Sequence, residues 1–377
     1  MDLIIENASV LAADGAFIDA TIAIEDGCIA HIGDAPANAK SRYDAKGALA
    51  LPGIVDIHGD AFERQLMPRP GVSFPVDMAL DETDKQLITN GITTAYHGVT
   101  LSWEPGLRSA EACRTFMAAF ECLKSGFISD TRLHLRFERA NVDMVEEAAG
   151  WIAAGRVDCI AYNDHLPHIR RYMGDDNKMS VYANRSGLSL PEFLDLVQRV
   201  SVRADTEGAA GTARLAEAAW ASNTPQLSHD DATPADREHF HNLGARIAEF
   251  PMGDVTAAAA KALGDPIVLG APNVVRGGSH TGLQSAAESA AKGLCDILAS
   301  DYYYPALLHA PFILARDGKL PLNEAWGLVS TNPAQALGLN DRGVLAPGKR
   351  ADIAVIQNGG SPSLAATIAA GRLCSFG

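Results

Sequence analysis

Leu51-Pro52-Gly53-Ile54-Val55-Asp56-Ile57-His58-Gly59-Asp60 is an apolar run that ends in an imidazole and a carboxylate two residues apart. Side chains at i and i+2 of a strand share a face, so His58 and Asp60 converge where such a strand ends. An imidazole beside a carboxylate at that place suits a divalent metal with an open coordination position. Taken alone, the pair reads equally well as a strand-end His and an exposed Asp. The rest of the chain decides between these readings.

Working outward, short apolar runs recur at about 91–97, 132–138, 157–163, 224–229, 246–250, 267–272 and 295–300, so that eight strands are expected in all. Between them lie helix-forming stretches such as Ala110 to Lys124, Val142 to Ala154 and Pro191 to Ala221, interrupted only by Gly150, Gly208 and Gly211. Strand and helix in alternation predict an α/β chain with a TIM-like (β/α)8 barrel over residues 51–342. The first fifty residues and the last stretch from Gly343 instead alternate apolar and polar residues between Gly turns. Residues 1–50 and 343–377 are therefore expected to form one small β-sandwich domain.

The 377 residues, 47% of them apolar, are ample for a barrel and a satellite. No leader pattern opens the sequence and no long apolar run crosses it, so a soluble protein with no membrane partner is expected, with the cytoplasm as default. Six scattered cysteines with no short spacing read as reduced, mostly buried thiols. A net charge of −15 argues against a nucleic-acid partner. The expected partner is an anionic small molecule met by local positive charge, and the oligomeric state is open, a homo-oligomer included.

In a (β/α)8 barrel the chemistry sits at the carboxyl ends of the strands. Those ends carry His58 and Asp60, His97, Glu138, Asp164 and His165, His229 and Asp230, Glu249, Asn273 and Asp301. Any one of them reads as a cap or a core polar residue, but their joint occurrence on one rim is hard to explain without a metal. His58, Asp60, Glu138, His165, His229 and Asp301 are the expected ligands of one or two divalent ions, with Glu138 as a bridge. Zinc suits imidazole with carboxylate, and manganese or iron would also be held. After the seventh strand, Arg276-Gly277-Gly278-Ser279-His280 reads either as a plain turn or as an anion cradle, in which glycines open the backbone and Arg276 and His280 donate. Arg69, His97 and Asn273 complete the expected substrate contacts.

Several stretches carry a resemblance. Pro52 to His58, Ser300-Asp301 and Ala346-Pro347-Gly348-Lys349-Arg350-Ala351-Asp352-Ile353-Ala354-Val355 resemble the amidohydrolase superfamily. Met67 to Val72, Asp164-His165, Ser228 to Thr233, Glu249-Phe250-Pro251, Gly270 to His280 and Ser300 to Pro305 resemble, more narrowly, its diphosphatases of phosphonate catabolism, associated with the carbon–phosphorus lyase pathway. The superfamily usually opens with His-x-His, where this chain has His58-Gly59-Asp60, and many members bridge with a carboxylated Lys, where this chain offers Glu138. The resemblance implies Asp301 as the catalytic base. It also implies cleavage of the phosphoanhydride in a ribose 1-methylphosphonate 5-triphosphate to the 5-phosphate and pyrophosphate. The alternative is hydrolysis of a C–N bond in an amide, cyclic imide or aminated heterocycle, the commoner reaction of the superfamily.

Overall fold

The computed structural model describes residues 1–34, 38–69, 71–278 and 285–376. The chain begins with strands β1 (Leu3–Leu11), β2 (Phe17–Glu25), β3 (Cys28–Gly33), β4 (Ser41–Asp44) and β5 (Leu49–Pro52). It continues with β6 (Ile54–Gly59), β7 (Ile92–Leu101), β8 (Asp130–Glu138), β9 (Cys159–Asn163), β10 (Gln226–His229), β11 (Ile247–Glu249), β12 (Ile267–Gly270) and β13 (Ile297–Ala299). It closes with β14 (Ile353–Gly359), β15 (Ser361–Ala369) and β16 (Arg372–Ser375).

Strands β6 to β13 stand in chain order in one eight-stranded sheet, and neighbours along it run parallel. Each coincides with one of the expected runs. The sheet closes where β13 meets β6: the Asp301 N–H donates to the His58 carbonyl at 2.9 Å, and the Asp60 N–H donates to the Asp301 carbonyl at 2.9 Å. The buried Asp56 carboxylate bridges the same seam, accepting from the Ser300 N–H at 3.0 Å and its hydroxyl at 2.6 Å. The result is a nearly closed (β/α)8 barrel.

The apolar run at 51–58 is two strands rather than one. Its start, in β5, pairs with β14 in the sheet of the chain ends, while β6 opens the barrel. The chain crosses between the sheets at Gly53, where a Cβ would lie 2.3 Å from Thr93 Oγ1 and 3.1 Å from Asp352 Cβ. Only glycine lets the backbone pass that close. The end strands form a separate sheet in the order β16-β15-β14-β5-β1-β2-β3, with β4 paired to β1. It has an apolar core of its own, in which Ile5, Ile22 and Ile24 meet Ile353, Val355 and Ile368.

Helices flank the barrel where sequence composition placed them. Ala110–Leu123 is capped by the Ser109 side chain on the Ala112 N–H, and Leu190–Ala221 starts with a reciprocal Ser189–Glu192 capping box. Gly211 inside the long helix has a packing reason, since a Cβ there would lie 2.8 Å from Val145 Cγ2. No helix among the described residues is long and apolar enough to cross a membrane. Cys113, Cys159 and Cys295 are buried free thiols, whereas Cys28 and Cys122 are exposed.

Candidate metal centre

Strand alternation builds the site. Leu227, Ile247 and Ala299 pack in one apolar cluster, so the residues two further on, His229, Glu249 and Asp301, emerge above it on the same side. On β8 the same period sets His134, Arg136 and Glu138 on one face. The pairing of β6 with β7 slips between Asp56 and Gly59, and His58 turns into the same space, its ring 5.4 Å from that of His229 and 5.1 Å from that of His134. Asp230, Phe250 and Asp301 have φ of 60°, 53° and 53°. Left-handed backbone in non-glycine residues, repeated just beyond three strands, is the kind of local strain that gathers at functional sites.

Three groups of potential ligand atoms result, each with its atoms within 4.8 Å of one another: His58, His229 and Glu249; His165, His229 and Asp230; and His58, Asp60 and Asp301. The first is an orienting arrangement. The Glu249 carboxylate is hydrogen-bonded to His229 Nδ1 at 2.8 Å by one oxygen and lies 2.8 Å from His58 Nδ1 by the other, a contact without hydrogen-bond geometry. His58 Nε2 is left for the centre, while His229 Nε2 faces Arg136 Nη2 at 3.2 Å. Both ring nitrogens of His58 are buried without a hydrogen-bond partner, Nδ1 against Glu249 and Nε2 open to an ion. Burial holds both His58 and His229 well below the usual imidazole range, hence neutral, the form a metal requires. Glu138 is engaged with His165, accepting from its N–H at 3.2 Å and from Nδ1 of its ring, and its charge raises the His165 pKa. Burial, and next the Asp60 carboxylate, push Asp301 up to about 7.

The six expected ligands thus gather at one end of the barrel, while the expected substrate residues divide. Arg276 is exposed at the end of the helix Ala271–Arg276, where its Nη1 donates to the Tyr302 hydroxyl at 3.3 Å, next to Asp301. Arg64, not singled out from sequence, reaches the Tyr302 carbonyl from the other side. Asn273 Oδ1 accepts the Ala286 N–H at 2.9 Å. Arg69 is exposed in a bridge with Val72, and His280 lies outside the described residues. His97 does not reach the centre: Tyr96 takes the inward place on β7, so the next residue turns outward, and His97 is buried against Phe62, Phe116 and Phe120. That apolar setting pushes its pKa down to about 4.

Glu249, Asp230, His134 and Arg136 are the site residues that the expected set omits. For His134 the signal was present, since it alternates with Glu138 along β8; Arg136 shares that face, but a cation there does not read as part of a metal centre. The Arg136 guanidinium is buried, with Nη1 donating to Asp60 Oδ2 at 3.0 Å and Nη2 facing His229 Nε2 at 3.2 Å. Beside Glu138 and His165 lies a cavity of about 120 Å³ whose arginines are already paired, Arg108 with Glu63 and Arg185 with Glu104. Cation available to an added anion is therefore found around Tyr302 rather than there.

Comparison with known proteins agrees with the architecture. Residues 198–370 match the amidohydrolase family. The chain is 32% identical over 356 residues to the alpha-D-ribose 1-methylphosphonate 5-triphosphate diphosphatase of Escherichia coli (strain K12), covering 93% of this chain and 94% of that protein. Among solved structures it is similar in fold to a triazine hydrolase variant, with TM-score 0.64 and 15% identity over 98% of this chain and 94% of the other. It is similar also to the L-hydantoinase of Arthrobacter aurescens, with TM-score 0.53 and 16% identity over 99% and 96%. With a (β/α)8 barrel, a separate sheet from both chain ends and a near-full-length relative at this identity, the chain belongs to the amidohydrolase superfamily.

Proposed function

We propose that this enzyme is a divalent-metal-dependent hydrolase that cleaves the phosphoanhydride of a ribose 1-methylphosphonate 5-triphosphate, releasing pyrophosphate and leaving the 5-phosphate. The observation that carries the chemistry is the grouping of the half-buried Asp301 carboxylate with His58 and Asp60 at the barrel's end. The near-full-length likeness to the Escherichia coli diphosphatase supports the substrate. The ion, with zinc as first choice and manganese or iron as others, would be held by residues drawn from His58, Asp60, Glu138, His165, His229 and Asp301. When bound it lowers the pKa of a coordinated water toward about 7. Asp301 accepts the proton from the attacking water, and Glu249 holds the imidazoles in orientation from behind. Arg276 and Arg64, on either side of Tyr302, meet the polyphosphate.

The test is release of pyrophosphate from a ribose 5-triphosphate by the purified, metal-loaded protein, run beside cyclic imide and amide substrates. Turnover of the imide or amide alone would sink the phosphoanhydride reading in favour of C–N hydrolysis.

Two variants refine it. Glu249→Gln keeps the shape but removes the charge that is hydrogen-bonded to His229 Nδ1 and lies against His58, so metal affinity should fall about 10- to 100-fold with the fold intact, as read by titration of the metal-free protein. Arg276→Ala should lower kcat/KM for the triphosphate by about tenfold, roughly 1.4 kcal/mol. A buried contact would be worth more, but Arg276 is exposed, and water screens part of its attraction. Amide turnover, if measurable, should not respond to this change.

A further inference from the structure

Arg136 is a buried cation at the middle of the centre to which the proposed reaction gives no part. Only 5% of its surface is exposed, and its Nε is buried without a hydrogen-bond partner. Its two terminal nitrogens touch members of different ligand groups: Asp60 belongs with His58 and Asp301, and His229 belongs with His165 and Asp230. A guanidinium carries only donors and does not deprotonate in proteins. Its N–H aimed at His229 Nε2 therefore takes up the lone pair that an ion in the second group would need. The other ring nitrogen of His229 faces Glu249, so no lone pair remains.

The group of His58, Asp60 and Asp301 is differently placed. His58 Nε2 has no partner, and the contacts of Asp60 with Arg136 and Arg108 are all to Oδ2. Glu138 and His165, which would complete a second position, are engaged with each other. The surrounding carboxylates of Asp60, Glu138, Asp230, Glu249 and Asp301 supply negative charge enough to hold an ion and a guanidinium side by side.

We propose that Arg136 is the second cation of the centre: the chain binds one divalent ion at His58, Asp60 and Asp301, and the guanidinium fills the place of a second ion beside His229. This rests on the metal-dependent reading above, but its test does not depend on substrate. Metal-free protein is saturated with Zn²⁺ or Mn²⁺, freed of excess ion and analysed for metal per chain.

The expected result for the native protein is one ion per chain. Two ions with Arg136 in place overturn the proposal and leave the hydrolase reading standing, whereas no bound ion overturns both. His58→Ala should lose the ion and His165→Ala should keep it; the reverse pattern also overturns the proposal. Arg136→Met, which uncovers His229 Nε2, should bind a second ion, while Arg136→Lys should stay at one. A folded Arg136→Met protein that still binds one ion shows that the guanidinium is not what excludes the second. Should that variant not fold, the counts for the native protein and for His165→Ala decide the matter.

Discussion

Asp301→Asn should leave a folded protein whose kcat for the phosphoanhydride is lower by at least about a thousandfold, since general base catalysis typically contributes 10²–10⁴ and its loss also leaves the attacking water unaligned. The substitution keeps shape and removes proton affinity. Burial and the neighbouring Asp60 push the Asp301 carboxyl up to about 7, so near neutral pH it can both take up and give back a proton, which an amide cannot. The fold should survive for two reasons. Its backbone ties across the barrel seam, from the Asp301 N–H to the His58 carbonyl and from the Asp60 N–H to its own carbonyl, do not involve the side chain. Its φ of 53° is one that Asn adopts readily. Steady-state kcat, circular dichroism and metal content measured together check this. A fall in turnover of less than about tenfold, worth only ~1.4 kcal/mol of barrier, would assign the proton to another residue.

What could be read from the chain and what could not follow from the range of the signals. Strand alternation and helix composition are local, and they placed the strands β6 to β13 and the long helix Leu190–Ala221 close to their observed bounds. Local signals do not say which sheet a strand joins. Leu51 and Ile54 belong to one apolar run, yet the three-dimensional crossing at Gly53 assigns them to different sheets. Nor do they say which face a strand-end residue presents: His97 follows Tyr96, and only the packing of that tyrosine inside the barrel shows that the histidine must turn to the phenylalanines outside. His58, Asp60, Glu138, His165, His229 and Asp301 were legible because each is a metal-binding type at a strand end. Arg136 was not, because a cation among ligands looks from sequence like a neighbour of Glu138 rather than part of the centre. Glu249 acts through two imidazoles from distant strands, a relation that spacing cannot encode.

The stretch Ser228-His229-Asp230-Asp231-Ala232-Thr233 shows how a site can depend on a buried charge away from the chemistry. Thr233 caps the helix Pro234–Leu243, and that helix returns Arg237 beneath the strand end. The guanidinium is fully buried and donates to Ser228 Oγ at 2.5 Å, Asp231 Oδ2 at 3.1 Å and the Ala245 carbonyl at 2.5 Å, with Asp265 Oδ2 3.4 Å from its Nε. Arg237→Met should cost about 3–5 kcal/mol of stability, the range for breaking a buried ion pair on one side, because Asp231 and Asp265 are left as buried carboxylates short of a partner. Burial already pushes Asp231 up to about 6 even with the arginine beside it, so without Arg237 it should bind a proton near neutrality rather than stay charged. Adding Asp231→Asn to Arg237→Met should therefore restore part of the loss, since an amide leaves a polar group but no charge unpaired. Urea unfolding of the native protein, both single variants and the double variant measures the coupling. A cost below about 1 kcal/mol for Arg237→Met, or a double variant as unstable as the sum of the singles, would show that this buried charge is not what stabilises the end of β10.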